Sequence, residues 1–178
     1  MEQKQSVLSK KLAVKSKTKK TEYHLPHSFD IEKELLGQIL VDNSIIDKIA
    51  HYIPTDAVFY NDFHRSIWRG IDDLRKKNVD VIDLNSIIAE VPPTVHTQEL
   101  GYKITGLLDI VGTANYENNA RILYEKWLLR NVINKSEQVK QVANVKNSDA
   151  RGVLEQLHRE IESVLDMQIG ENFDIDGL

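Results

Sequence analysis

The sequence predicts an all-α protein in which a compact helical globule is followed by a long antiparallel helical hairpin. Apolar residues recur at spacings of three and four through most of the 178-residue chain, as they do on the buried faces of helices. No stretch alternates apolar and polar residues with the period of two that a half-buried strand requires. Between Asn115 and Val145 there is neither proline nor glycine. This predicts one helix of about 30 residues, roughly 45 Å long.

Charge and composition divide the chain into four parts. Residues 1–22 contain seven lysines and two glutamates, a net charge of +5, and because the whole chain carries −4 the remainder carries −9. The start of the chain has few large apolar residues to bury, which predicts a disordered basic tail over 1–24. A helical globular domain is predicted over 25–113, the hairpin over 114–168 and an acidic linker over 169–178.

The basic tail has two interpretations. Its lysines can contact phosphate groups, or they can keep the chain soluble without any specific partner. The acidic body repels nucleic acid, so a broad DNA-binding face on the folded part is not expected.

Several classes of protein are excluded by residues that the sequence lacks. There is no cysteine, which excludes disulfide scaffolds, thiol nucleophiles and cysteine zinc sites. No apolar run reaches the ~18 residues of a membrane span, and no apolar segment of a secretory signal follows the basic start. We therefore expect a cytoplasmic protein with no membrane partner.

The first helix of the globule is predicted to begin at Ser28, which can cap it. Asp30 and Glu32 lie in its first turn, where acidic side chains favour the helix dipole. Gly37 falls inside the helix at a cost of up to ~1 kcal/mol relative to alanine, which indicates close packing against a neighbouring helix. The apolar face consists of Ile31, Leu35, Leu36, Ile39 and Leu40.

A short second helix over about 43–51 buries three isoleucines, and a single turn from Pro54 to Ala57 follows it. The aromatic stretch over 57–68 then opens a third helix, which Asn61 caps. Phe59 and Tyr60 are expected to close over the start of this helix. Its buried stripe consists of Phe63, Ile67, Ile71 and Leu74, with Trp68 widening it and His64 at its edge.

The remaining helices are predicted from their caps and apolar faces. Asp83 caps a helix that buries Leu84, Ile87 and Ile88. Thr97 can cap the next, which carries Leu100, Ile104, Leu107, Leu108 and Val111 and ends at Gly112. After the long helix, Ser148 or Asp149 can cap the second hairpin helix, whose apolar residues are Val153, Leu154, Leu157, Ile161, Val164 and Leu165.

The search for a catalytic or ligand site gives no candidate. His64 could be a catalytic histidine, but no serine, cysteine or paired carboxylate is placed to make it a member of a catalytic triad, so we interpret it as a core-edge histidine bonded to backbone or water. No HExxH or helical histidine pair points to a metal site, although His24 and His27 have a possible ligand spacing.

A nucleotide site and a base-stacking site are not expected either. Gly101 and Gly106 have the spacing of a phosphate loop, but Leu107 and Leu108 follow where lysine and a hydroxyl residue are required. The aromatic residues at 57–68 could stack bases, but they recur at the spacing of a helical core and lie in an acidic body. The prediction is a chain without catalytic residues, cofactor or metal.

The first helix of the hairpin carries more apolar surface than one antiparallel neighbour can cover. Its excess must contact the globule or another chain, and oligomerisation is the simpler interpretation because a projecting hairpin has little globule nearby. Trp127 is the expected anchor, since large aromatic residues dominate interfaces. The predicted interface residues are Leu123, Trp127, Leu128, Val132, Leu157 and Ile161.

Four segments that occur in order between about residues 25 and 168 carry a resemblance to a known family. They are PHSFDIEKELLGQIL, FYNDFHRSIWRGIDDL, VDVIDLNSII and NYENNARILYEKWLLRNVI. The chain resembles the N-terminal domain of DnaB-type replicative DNA helicases. In the third segment, Asp83 of this chain stands where the family has a capping threonine. The matched positions in the last segment are Asn119, Ala120, Glu125, Lys126 and Arg130. The resemblance implies that the aromatic segment is scaffold, with a structural core of Leu36, Gly37, Phe59, Tyr60, His64, Ile67 and Trp68.

The resemblance also implies a role in replication. It implies self-association of hairpins into dimers and a ring, a docking surface for primase and helicase loaders, and an ATP-dependent helicase motor that contacts DNA in the full-length protein. No motor domain or phosphate loop is present in these 178 residues. The leading hypothesis is a non-catalytic assembly and docking domain belonging to a longer helicase. The alternative is a free-standing adaptor or loader-like protein that binds such a helicase.

Overall fold

The structure, a computed structural model of the chain, describes residues 24–79, 81–92, 99–109 and 115–167. Within these residues it contains seven α-helices and no strand, which confirms the predicted all-α fold class. Two short 3-10 turns, Ala50–Tyr52 and Asp56–Val58, lie between the second and third helices. The helices are α1 (Phe29–Val41), α2 (Ile45–Ile49), α3 (Asp62–Lys76), α4 (Leu84–Glu90), α5 (Leu100–Leu108), α6 (Tyr116–Ala143) and α7 (Ala150–Leu165).

Some predictions concern residues outside the described ranges. They are the basic tail except His24, the cap at Thr97, the helix end with Val111 and Gly112, and the acidic linker. In the part that the structure describes, no helix is long and apolar enough to cross a membrane.

Side-chain caps fix most of the helix starts, as the sequence predicted. The Asn61 side chain accepts hydrogen bonds from the backbone N–H groups of Phe63 and His64 at 2.9 and 3.2 Å. Asp83 and Ser86 form a capping box at the start of α4. Asp149, rather than Ser148, caps α7. Ser28 precedes α1 but makes no side-chain cap, so that part of the prediction was wrong.

The globule is built around one hydrophobic core to which all the helices from α1 to α6 contribute. Helix α1 packs against α5 and α6, and α3 packs against α4. Helices α3 and α4 approach closely at Gly70, where an added Cβ would lie 3.6 Å from the Cβ of Glu90. Since α6 supplies part of this core, the predicted boundary between residues 113 and 114 separates residues that share one core.

Helices α6 and α7 form the predicted antiparallel hairpin. Lys135 of α6 contacts Glu160 of α7, and further back towards the globule the Tyr124 hydroxyl donates to the carbonyl of Met167 at 2.5 Å. The turn between the helices includes Asn147 at φ 68°, a left-handed conformation that asparagine tolerates better than most residues. The described chain therefore returns to the globule after the hairpin.

Candidate assembly surface

Helix α6 has two halves with different surroundings. Its first half lies along α1, α2 and the 3-10 turns and buries Leu123, Tyr124 and Trp127. Its second half leaves the globule, and Leu129, Val132 and Ile133 are exposed there. The apolar surplus that the sequence shows on this helix is thus divided between the globule core and an outer surface.

Arg130 lies where α6 leaves the globule and holds the helix in place. Its guanidinium donates to the carbonyls of Pro26, Ala57 and Val58 at 2.7 to 2.8 Å. It also lies over the Tyr60 ring, 5.5 Å from the ring centre. Burial lowers the pKa of Arg130, because the charged form loses hydration. The three carbonyls compensate for that loss and tie α6 to the start of the chain and to the second 3-10 turn.

A buried acid and a buried histidine join α1 to α3. Glu32 and His64 are 0% and 3% exposed, and His64 Nδ1 lies 2.7 Å from the Glu32 carboxylate. The same carboxylate accepts hydrogen bonds from the backbone N–H groups of Tyr60 at 2.7 Å and Asn61 at 3.2 Å. Both side chains are sealed from solvent, which suits a structural contact and leaves no room for a substrate.

The Glu32–His64 contact corrects the sequence analysis. We expected Glu32 only to favour the first turn of α1, and His64 to bond backbone or water rather than a carboxylate. The two residues are 32 positions apart and meet because the start of α1 packs against the start of α3. Of the residues predicted as structural core, Tyr60 is only half-buried and stacks on His27 at the surface, with ring centres 4.6 Å apart. The other six are buried: Leu36, Gly37, Phe59, His64, Ile67 and Trp68.

Helix α7 has an apolar face that none of the described residues covers fully. The structure describes all sixteen of its residues, and none of them is buried. Leu154, Leu157, Ile161 and Leu165 follow each other at spacings of three and four, so they share one face, and all four are exposed. In the described chain α7 packs chiefly on α6. Burying this face would stabilise an amphipathic helix, which makes it a candidate surface for contact with another molecule.

Exposed and partly exposed residues of α6 and α7 together line a groove of about 350 Å³ along the hairpin. Its floor and walls are mainly apolar. A salt bridge crosses the groove between the helices, with Lys135 Nζ 2.5 Å from Glu160 Oε2. We name this groove the hairpin groove; its lining residues are Leu128, Leu129, Val132, Lys135, Ser136, Leu157, Glu160, Ile161, Val164 and Leu165.

The hairpin groove contains four of the six predicted interface residues. Leu128, Val132, Leu157 and Ile161 line it. Leu123 and Trp127 do not, and their prediction as interface residues is corrected: they are 1% and 8% exposed within the single chain. The Trp127 ring packs 5.6 Å from Tyr124, because the globule covers the first half of α6. Sequence reasoning omitted Leu129, Val164 and Leu165 from the interface, although their helical spacing from the predicted residues places them on the same surface.

The described residues include no group of three or more histidine, aspartate or glutamate side chains that could hold a metal ion. Gly101 and Gly106, whose spacing resembles that of a phosphate loop, both lie within helix α5. The surface that stands out in this structure is therefore apolar and extended, of the kind that proteins use for contact with other chains.

Comparison with known proteins assigns the family. The family model of the DnaB-like helicase N-terminal domain matches residues 24–125, which is more than half of the chain. The "Replicative DNA helicase DnaB" of Geobacillus stearothermophilus is 27% identical over 143 residues, which cover 78% of this chain and 31% of that protein. The protein of the same name from Pasteurella multocida is 24% identical over 83% of this chain and 32% of that protein.

A third relative and a solved structure agree with these matches. The "Replicative DNA helicase DnaB" of Rickettsia conorii is 29% identical over 70% of this chain and 25% of that protein, so the chain spans a quarter to a third of these relatives. The crystal structure of the N-terminal domain of DnaB helicase from Mycobacterium tuberculosis has the same fold. Its TM-score is 0.68 at 23% identity, covering 79% of this chain and 99% of that one. The chain belongs to the family of DnaB-like helicase N-terminal domains.

Proposed function

We propose that this chain is the non-catalytic assembly and partner-docking domain of a replicative DNA helicase, and that it self-associates through the hairpin groove. The single observation that carries the proposal is the uncovered apolar face of α7, in which none of the sixteen residues is buried. The relationship to replicative helicases supports a place in DNA replication, and the exposed apolar face of the hairpin supports a role in assembly.

The charge of the hairpin favours a second copy as the molecule that covers the groove. Residues 131–165 contain five lysines or arginines and five aspartates or glutamates, so their net charge is zero although the chain as a whole carries −4. Two hairpins therefore do not repel each other, whereas two acidic globules would. Apposing two copies of a two-helix face also gives a four-helix bundle, the arrangement in which each apolar stripe meets another.

The wider function follows from the relatives. The full-length protein would unwind DNA with ATP through a motor domain, which would also make most of the DNA contacts, and this domain would dock primase and a helicase loader. This chain itself would bind no nucleotide and no cofactor, because Gly101 and Gly106 lie in a helix and Leu107 and Leu108 supply neither lysine nor hydroxyl. The proposed compartment is the cytoplasm, where a bacterial replicative helicase meets DNA.

Replacing Ile161 by glutamate tests the proposal. Ile161 is 50% exposed and lines the hairpin groove, so the charge is tolerated in the single chain but would be buried by a second copy. We expect sedimentation velocity to show loss of the oligomer, with the helical circular dichroism signal unchanged. The matched control is Tyr102→Glu, at an apolar residue that is 80% exposed on α5 and outside the groove. An oligomer unaffected by Ile161→Glu, or lost equally in the control, would contradict the proposal.

A further inference from the structure

A second groove lies on the globule and shares no lining residue with the hairpin groove. It has a volume of about 240 Å³ and lies between the end of α1, the start of α4 and the end of α5. Two of its lining residues, Val41 and Val81, are 66% and 68% exposed, which is unusual for valine side chains. We name it the globule groove; its lining residues are Leu40, Val41, Asn43, Val81, Ile82, Asp83, Leu84, Ile104 and Leu108.

The charges at the globule groove are negative. Asp83 lines it, and Asp42 and Asp109 are each adjacent in the chain to a lining residue; all three are exposed. Within the described part of the chain, neither lysine nor arginine lines the groove. Backbone N–H groups hold two of the carboxylates in place, that of Ser44 donating to Asp42 at 2.9 Å and that of Ser86 to Asp83 at 2.8 Å. The groove therefore suits aliphatic side chains that have positive charges beside them.

We propose that the basic tail docks on its own globule, with Leu12 and Val14 in the globule groove. Residues 10–20 contain six lysines and no acidic residue, and Leu12 and Val14 are the only large apolar residues among them. Lysines both precede and follow the two, in the order KKLAVK. In an extended segment, side chains two positions apart point to the same side, so both aliphatic groups can enter one groove while the lysines meet the carboxylates.

The tail is long enough to reach the groove within one chain. The first described residue is His24, a few positions before α1, and Leu12 lies 12 residues before His24. Such a segment can span about 40 Å when extended. The groove lies at the other end of α1, whose 13 residues are about 20 Å long. The tail can therefore run along α1 and still place Leu12 and Val14 in the groove.

Other occupants fit the groove less well. Ile110 and Val111 follow Leu108 closely in the chain, but they come with the carboxylate of Asp109 and no positive charge. A nucleic acid can bind the lysines through its phosphates, but it offers no aliphatic group for the apolar lining. A docked tail would offset part of the negative charge of the globule and keep these lysines from phosphates. This inference does not depend on self-association of the hairpins.

A spin label in the tail tests the contact by nuclear magnetic resonance. Because the chain has no cysteine, Ser16→Cys gives one labelling site beside the proposed contact. In the isotope-labelled full chain, we expect the backbone amide signals of Val81 and Leu108 to lose most of their intensity, whereas that of Gly152 on α7 keeps it. Full intensity at Val81 and Leu108 would overturn the inference, whether the groove is empty or filled by Ile110 and Val111.

Two paired substitutions separate a specific contact from attraction between opposite charges. Leu12→Ser with Val14→Ser keeps every lysine and should restore the signals of the groove. The matched control is Val7→Ser with Leu8→Ser, which removes the same two residue types outside the proposed contact and should leave the signals weakened. Equal signal loss in both double variants would mean that charge alone attracts the tail, and the proposed docking would be wrong.

A change on the globule gives an independent check. Val41→Lys places a positive charge at the groove and should release the tail, whereas Tyr102→Lys, at a residue 80% exposed on α5 and outside the groove, should not. A tail that stays bound in the Val41→Lys variant contradicts the assignment to this groove.

A mixed sample distinguishes contact within one chain from contact between copies. It contains spin-labelled chains without isotope and isotope-labelled chains without the cysteine, and we expect little signal loss in it. A loss at Val81 and Leu108 as large as in the doubly labelled chain would assign the tail to a second copy and overturn docking within one chain. Tail signals that change only when single-stranded DNA is added would instead identify a phosphate-binding tail.

Discussion

Replacing His64 by alanine tests whether the buried contact with Glu32 holds α1 against α3. The Glu32 carboxylate has no solvent exposure and accepts hydrogen bonds from two backbone N–H groups and from His64 Nδ1. The substitution removes one of these three donors and leaves the charged group buried. Loss of a hydrogen bond to a charged group costs roughly 1.5–3 kcal/mol, and the cavity left by the ring adds to it. We expect the free energy of unfolding to fall by about 2–4 kcal/mol.

Urea denaturation followed by circular dichroism measures this change. The matched control is His158→Ala, since His158 is 74% exposed on α7 and pairs with Glu162 one turn away. Its substitution should alter stability by no more than about 0.5 kcal/mol, as expected for an exposed pair. If His64→Ala were equally mild, the Glu32–His64 contact would not stabilise the globule and our assignment of the pair to the scaffold would be refuted.

Two further predictions concern α6 and α4. Trp127→Ala should lower the free energy of unfolding by about 3–5 kcal/mol because the ring belongs to the globule core. Leu129→Ala, on the exposed face, should weaken self-association with little change in the melting temperature. The reverse pattern would place Trp127 at an interface between chains. Backbone and side-chain hydrogen bonds from Ser86 hold the pKa of Asp83 below its usual 3.8. The capping box therefore stabilises the folded chain at pH values above 3.8, and this stabilisation is lost as the pH falls through the lowered pKa. The stability difference between wild type and Asp83→Ala should therefore shrink from about pH 6 to about pH 2, and a difference that persists in acid would contradict this reading.

Local signals in the sequence predicted several of the helices because a side chain next to the helix start caps it. Asn61, Asp83 and Asp149 accept hydrogen bonds from N–H groups two or three residues further on, and this arrangement can be read from the sequence alone. The length of α6 was predictable for a similar reason, since no proline or glycine interrupts it.

Contacts between distant residues could not be predicted in the same way. Glu32 and His64 meet only through the packing of α1 on α3, and helical periodicity says nothing about which face of one helix meets which face of another. The assignment of Trp127 to the interface had the same origin. Its apolar stripe was recognised correctly, but the stripe alone could not show that the globule covers the first half of α6.

The candidate assembly surface could be predicted in part from the sequence. The excess of apolar residues on the hairpin was apparent from the sequence, and it indicated Leu128, Val132, Leu157 and Ile161. The structure adds that these four line one groove with Lys135 and Glu160. Their joint position depends on the pairing of α6 with α7, which brings residues about 25 positions apart to opposite walls of the groove.

The molar mass of the wild-type chain in solution tests the central claim most directly. One chain has a mass of 20.4 kDa. If the uncovered face of α7 pairs hairpins, sedimentation equilibrium between about 1 and 100 μM should give a mass that rises with concentration to twice that value or more, as association of micromolar strength requires. A mass that stays at 20.4 kDa up to about 100 μM would contradict the account.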